Sequence, residues 1–235
     1  AAKGAPSAAP DPVLLAEIER RLGYEYPFSQ LEGVVAKRIA SKLDPTEADS
    51  EYFASRRPSF AGRGRLTPAQ RGTATHRFMQ YADYSRACKS VADELTRLTE
   101  GGMLTAEEAN AVDARAVARF FDNGLYARMS RAERIYKEYS FTCSVPVSEL
   151  YPQLPCGLAD GEVVLIEGVA DCAFVEGGEL VVVDYKTDKA SSAAELAERY
   201  GAQLGIYRRC LAEVLGMPVK ETVIYSFRLN ESITL

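Results

Sequence analysis

The 235-residue sequence has no tryptophan, a single histidine and no excess of basic residues. Its formal net charge is −5, which disfavours a protein that coats nucleic acid through general electrostatic attraction. It contains no GxxxxGK[ST] phosphate loop, no GxGxxG turn and no GxSxG nucleophile elbow. These absences argue against a nucleotide-binding enzyme and against a serine hydrolase.

Cysteine is scarce and irregularly spaced, and long apolar runs are missing. The five cysteines form no CxxC pair, so their spacing gives no zinc or iron–sulfur ligand set and predicts free thiols in a reduced compartment. No apolar run is long enough to span a bilayer, and the first residues lack the basic-then-apolar pattern of a signal peptide. We therefore predict a cytoplasmic protein with no membrane partner.

The first half of the chain has helical patterns. Residues 12–43 predict two helices that are divided at Pro27. Capping boxes at Thr67 and at Thr105 predict the starts of two further helices, the second of which extends to about residue 130. We expect residues 1–66 to form a helical or irregular N-terminal segment that leads into one compact domain.

The second half of the chain changes to β-rich patterns. Three β-rich segments follow one another, the last two separated by Gly177 and Gly178, and then a helix after Ser192 precedes a final strand. The order β-β-β-α-β after a helical half predicts an α/β fold with a mixed sheet flanked by helices. Residues 67–235 are predicted to be this one domain.

The Gly-Gly turn makes a specific prediction about two acids. A two-residue hairpin loop pairs Glu176 with Glu179, and the same register sets Asp171 opposite Asp184 on one face of the sheet. Two negative charges on directly opposed residues, flanked by apolar residues, repel each other unless a positive charge compensates them. A divalent cation such as Mg²⁺ or Mn²⁺ does so directly, because hard carboxylate oxygens are its preferred ligands.

Lys186 lies two residues after Asp184 and therefore on the same face of its strand. An ammonium beside two metal-binding carboxylates can orient an attacking water or stabilise charge on a phosphoryl group. The alternative is a surface salt bridge between Asp184 and Lys186 at the end of a strand, with Asp171 a solvated edge residue. The residues alone leave both interpretations open.

Four short motifs together resemble a known family. They are GVAD ending at Asp171, VVDYKT around Asp184, the GxxxH spacing of Gly72 and His76, and QLxxY from Gln203 to Tyr207. In order and spacing they resemble the RecB-type branch of the PD-(D/E)xK nucleases, and in particular the nuclease domain of AddA-type helicase–nucleases. The resemblance extends from about Tyr24 to the end of the chain and implies a restriction-endonuclease-like core.

The resemblance also implies a role for each matching residue. It implies that His76, Asp171, Asp184 and the backbone carbonyl of Tyr185 bind the metal, and that Lys186 is the catalytic lysine. Gln203 and Tyr207 would support the site or touch DNA, and Glu138 is a weaker candidate on a neighbouring strand. The residue before Asp171 is alanine where the family pattern has proline.

What the resemblance implies about function is a Mg²⁺-dependent deoxyribonuclease. It would act as the exonuclease or endonuclease domain of a bacterial ATP-dependent helicase–nuclease in double-strand-break repair and recombination. Single-stranded DNA would be delivered by the helicase part of the same parent chain, and the partner would be the second component of the helicase–nuclease complex. The alternative is a catalytically inactive module of the same fold that docks DNA or a partner.

Overall fold

The computed structural model describes residues 11–24, 26, 28–40 and 67–235. The chain divides into two compact units. One contains the residues up to Val35 together with Pro146–Val163, and the other contains Ala36–Val145 and Val164–Leu235. The predicted boundary at residue 66 falls where the described residues resume, and it stays a prediction.

The smaller unit contains helix α1 (Pro12–Leu22), a 3-10 turn at Ser29–Leu31 and the short helix at Val147–Leu150. Asp11 caps α1 as its side chain accepts a hydrogen bond from the amide of Val13. The second helix predicted within residues 12–43 is wrong for the described residues, because the 3-10 turn is followed by strand β1 (Lys37–Ile39). Parallel pairing of β1 with a later strand overrides the local helical pattern.

The first half of the larger unit is helical, as predicted. Its helices are α2 (Pro68–Tyr81), α3 (Tyr84–Ala87), α4 (Val91–Glu100), α5 (Ala106–Ala111), α6 (Ala114–Phe121) and α7 (Gly124–Met129). The capping boxes at Thr67 and Thr105 are confirmed. The single long helix predicted from Thr105 to about residue 130 is wrong, because Asp113 and Asn123 each cap a new helix within that span.

Among the described residues, the second half of the chain supplies five strands, and together with β1 they form a mixed six-stranded sheet. Its further elements are β2 (Arg134–Pro146), α8 (Val147–Leu150), β3 (Val163–Glu176), β4 (Glu179–Lys186), α9 (Ala193–Leu215), β5 (Val219–Ser226) and β6 (Glu231–Thr234). The strand order is β1-β3-β4-β5-β6, and β2 also pairs with β3. The pairs β1–β3 and β4–β5 are parallel, whereas β3–β4 and β5–β6 are antiparallel. The predicted order β-β-β-α-β is confirmed, with β6 added at its end.

An aromatic cluster joins the helices to the sheet. Phe120 of α6 lies between Tyr84 of α3 and three aromatic residues of the sheet region, with ring centres 4.8–6.3 Å apart; these are Tyr185, Tyr225 and Phe227. Phe120 and Tyr225 are fully buried, and burying such a side chain stabilises the fold by roughly 1.5–3 kcal/mol. The cluster fixes the helical half against the strand that carries Asp184.

The structure pairs Cys143 of β2 with Cys210 of α9 in a disulfide, with their Cα atoms 5.5 Å apart. The prediction of free thiols is therefore wrong for these two residues. It holds for Cys88, Cys156 and Cys172. The two paired residues are 67 positions apart, so only the packing of α9 on the sheet brings them together. In the described residues, no helix combines the length and the apolar character that crossing a membrane requires.

Candidate functional site

Helix α2 brings the only histidine of the sequence to the sheet. Thr67 and Gln70 fix its first turn, with each side chain bonded to the backbone amide of the other residue. Two turns later, Nδ1 of His76 lies 3.2 Å from Oδ1 of Asp171. Gly72, one turn earlier, faces the chain just after β4, since an added Cβ would lie 2.8 Å from Oγ1 of Thr187. The Gly72–His76 spacing therefore lets α2 approach both strands of the hairpin closely.

The β3–β4 hairpin has the predicted register over the five pairs next to the turn, and these pairs end one position before the predicted pair of Asp171 with Asp184, which stays a prediction. Its pairs run from Glu176 opposite Glu179 to Cys172 opposite Val183. Gly177 and Gly178 both have positive φ, at 65° and 79°, as a tight two-residue hairpin turn requires. Just beyond the last of these pairs, Oδ2 of Asp171 accepts a hydrogen bond of 2.7 Å from the backbone amide of Tyr185. The side chain of Asp171 is thus tied to the strand that carries Asp184.

A compact group of potential metal ligands forms around Asp171. One ligand atom from each of His76, Glu138 and Asp171 can be chosen so that all three lie within 4.8 Å of one another. Glu138 reaches this position from β2 with a backbone φ of +46°, in the left-handed region that a long side chain rarely adopts. Asp184 does not belong to this triad in the described part of the chain.

The charges within the triad shift one another's ionisation. Burial opposes protonation of His76, but the adjacent Asp171 carboxylate outweighs it and raises the pKa of His76 to about 9. Burial also opposes ionisation of Asp171, yet His76 and the amide of Tyr185 lower the pKa of that carboxyl below its usual value. Burial and the charge of Asp171 raise the pKa of Glu138 to about 7. A cation bound here would compete with the proton on His76.

Asp184 lies on β4 beside Lys186, with only 4% of the residue exposed. Burial raises the pKa of Asp184 to about 6, even though the Lys186 ammonium opposes that shift. The two charged groups form an ion pair, since Nζ of Lys186 is 3.2 Å from Oδ2 of Asp184. Oδ2 of Asp184 is buried and, among the residues that the structure describes, accepts no hydrogen bond of ordinary geometry.

Gln203 and Tyr207 lie on successive turns of α9 and are bonded to each other. The amide nitrogen of Gln203 donates to the hydroxyl of Tyr207 over 3.1 Å. That hydroxyl donates in turn to the backbone carbonyl of Val169, two residues before Asp171, over 3.1 Å. Both side chains are buried, so these contacts place the pair behind β3 as a support for its backbone.

Three further side chains around these residues are not predicted from the sequence. Tyr84 contacts Tyr185 through their hydroxyls, 3.2 Å apart. Lys137 donates to the carbonyl of Ala82 over 2.6 Å, and burial lowers its pKa to about 8. Tyr200 lies beneath the ammonium of Lys186. Only Tyr200 has a usable sequence signal, since it precedes Gln203 by one helical turn.

The fold and the site correspond to one class of protein. The family profile of the PD-(D/E)XK nuclease superfamily matches residues 50–233, and the chain belongs to this superfamily. Its mixed sheet with flanking helices is accordingly the predicted restriction-endonuclease-like core.

The sequence relatives are more particular. The chain is homologous to ATP-dependent helicase/nuclease proteins of the AddA type, with 33% identity to that of Geobacillus thermodenitrificans, 31% to that of Clostridium kluyveri and 32% to that of Desulforamulus reducens. These matches cover 90%, 90% and 95% of this chain, but only 19%, 18% and 19% of the respective relatives. The chain therefore spans about a fifth of the length of these relatives.

Proposed function

We propose that this domain hydrolyses phosphodiester bonds of single-stranded DNA with the help of a divalent cation, Mg²⁺ or in its place Mn²⁺. The observation that carries the proposal is the meeting of His76, Glu138 and Asp171 within 4.8 Å, next to the strand with Asp184 and Lys186. Membership of a nuclease superfamily supports it independently.

The residues present fit a hard divalent cation. Most of the potential ligands are carboxylate oxygens, which Mg²⁺ and Mn²⁺ prefer, and one imidazole nitrogen joins them. Asp184 adds a buried oxygen that accepts no hydrogen bond of ordinary geometry within the described residues, and its ion pair with Lys186 does not cancel the cost of burial, since the pKa of Asp184 stays raised. We propose that His76, Asp171, Asp184 and the carbonyl of Tyr185 hold the cation, with Glu138 beside them.

A cation held there would activate a water molecule and polarise the phosphate. Lys186 would supply a positive charge next to the attacked phosphorus, where it stabilises the negative charge that develops during the displacement. The hydrogen bond from the amide of Tyr185 holds Asp171 in place. Gln203 and Tyr207 fix the backbone of Val169 and so the start of the segment that carries Asp171.

The names of the relatives support the proposed substrate and partners. A helicase/nuclease combines a motor with a nuclease, and unwinding produces single strands. We propose that this chain is the nuclease part of such an ATP-dependent helicase–nuclease. The helicase would lie in the same parent chain, and the second component of the complex would be its partner. The complex would act in DNA repair and recombination at double-strand breaks in the bacterial cytoplasm.

Cleavage of end-labelled single-stranded DNA tests the proposal. We expect degradation with Mg²⁺ or Mn²⁺, none with EDTA, and loss of cleavage in Asp171→Asn. Glu176→Gln is the matched control, because Glu176 lies at the far end of the same hairpin and pairs with Arg128 and Lys220. A circular strand distinguishes endonuclease from exonuclease action.

Two outcomes would contradict the proposal. Full cleavage by Asp171→Asn would mean that another site is responsible. Calorimetric binding of Mn²⁺ and DNA without any cleavage would instead favour the docking module, the alternative that the sequence left open.

A further inference from the structure

Two contacts of the Lys186 ammonium are of different kinds. One is Oδ2 of Asp184 at 3.2 Å. The other is the ring of Tyr200 on α9, whose centre lies 3.7 Å from Nζ. A cation at this distance over an aromatic face is attracted by the ring, more strongly where water is excluded. The side chain of Lys186 is only 15% exposed and Tyr200 is 2% exposed, so this contact is largely desolvated.

The ring of Tyr200 is itself held in place. Its hydroxyl donates a hydrogen bond to the carboxylate of Asp188, two residues after Lys186. Arg199 lies 3.6 Å from the same carboxylate and also bonds Glu195 over 2.7 Å. The ring is therefore anchored both by the backbone of α9 and by the loop that follows β4.

We propose that Tyr200 is a positioning residue that holds the ammonium of Lys186 for the cleavage step, an inference that rests on the proposed function. A ligand role for Asp184 would withdraw that carboxylate from Lys186. The face of Tyr200 would keep its contact, since an aromatic ring does not ligate the cation. Lys186 thereby stays beside the reacting phosphate instead of turning away from it.

Changing the electron density of the aromatic face while keeping the shape of the ring nearly constant tests this inference. Tyr200→Phe keeps the aromatic face, and pentafluorophenylalanine at the same position reverses its electrostatic character. Both variants lack the hydroxyl that bonds Asp188, so Tyr200→Phe is the reference, and we expect the fluorinated variant to lower kcat by about tenfold relative to it. KM for single-stranded DNA and the calorimetric Kd for Mn²⁺ should not change between the two, whereas a merely structural role would move all three.

The position of Lys186 has a second readout that does not depend on cleavage. In the metal-free protein with ¹³C-labelled lysine, the ε-methylene protons of Lys186 should be shifted upfield by the ring of Tyr200, and Tyr200→Leu should abolish the shift. Equal kcat values for the phenylalanine and pentafluorophenylalanine variants, or no upfield shift, would overturn the inference and leave the proposed function intact. A parent protein that fails to cleave with Mn²⁺ would overturn the proposed function and this inference with it.

Discussion

Replacing Asp184 by asparagine should make the metal-free protein more stable. The same change should abolish cleavage of DNA when the metal is present. Asp184 is almost fully buried, and its pKa is raised to about 6 by burial and by the charge of Asp171. In the unfolded chain an aspartate titrates near 3.8. The ionised side chain is therefore less favourable in the folded protein than in water, and the neutral amide avoids that cost.

The size of the effect follows from the shift of about two pKa units. Each unit corresponds to about 1.4 kcal/mol, so the variant should gain up to about 3 kcal/mol in the free energy of unfolding above pH 6. The sign depends on pH, because a raised pKa in the folded state favours the protonated form. Below about pH 4 Asp184 is neutral in both states and the difference vanishes; it grows as the pH rises to about 6 and then levels off.

Urea unfolding in EDTA at about pH 5 and about pH 8 measures this difference. The matched control is Glu176→Gln in the same hairpin, where hydrogen bonds from Arg128 and Lys220 lower the pKa of Glu176 to about 2. That control should lose stability, by about 1 kcal/mol after allowing for solvent screening of a carboxylate that is 30% exposed. If Asp184→Asn has a lower free energy of unfolding than the parent protein at about pH 8, as is expected for the control, the reasoning is refuted.

Two further predictions concern glycines and cysteines. Gly72→Ala should lower kcat roughly tenfold or more, because the new Cβ would press on Thr187, next to Lys186. Gly205→Ala, where a Cβ would meet nothing within 4 Å, should instead raise the free energy of unfolding by about 0.5–1 kcal/mol. A cleavage assay and a urea titration compare the two variants. A lower kcat in Gly205→Ala than in Gly72→Ala, or a lower free energy of unfolding, would contradict both predictions. Closing a loop of 67 residues through Cys143 and Cys210 should stabilise the oxidised protein by up to about 4 kcal/mol over the reduced one. Unfolding with and without dithiothreitol measures this, and a Cys143→Ser variant that still responds to the reductant would disprove the assignment.

The parts of the fold that the sequence predicts are those set by local chemistry. Thr67 and Thr105 each have a partner three residues later, and both capping boxes form. Gly177 and Gly178 set the turn type, and the turn fixes the register of the five strand pairs that follow it. The position of Asp171 beside the strand of Asp184 thus follows from a two-residue turn several positions away.

Where competing local signals exist, the sequence is less informative. Residues 105–130 have a helical pattern throughout, but Asp113 and Asn123 offer their side chains to the backbone and start new helices. Conversely, the apolar residues before Ile39 suggest a helix, yet their partner strand is more than 120 residues away in the sequence. Long-range pairing cannot be inferred from a local window.

The candidate site shows the same division. The hairpin and helix α2 supply His76, Asp171, Asp184 and Lys186 from patterns that are visible in the sequence. The approach of Glu138 depends on a left-handed backbone in the middle of β2, and that of Tyr200 on how α9 packs on the sheet. The sequence offers Glu138 only as a weaker candidate, and the helical spacing of Tyr200 from Gln203 does not predict its contact with Lys186.

The left-handed backbone of Glu138 also indicates what the site requires. The other non-glycine residue with positive φ, among those described, is Asn230, whose residue type tolerates this conformation in a turn. Glu138 gains no such local compensation, and a backbone of this kind costs of order 1–3 kcal/mol. The raised pKa of Asp184 shows a second unfavourable arrangement on the neighbouring side of the same cluster. A cation shared by the carboxylates of this site would reduce the electrostatic part of these costs directly.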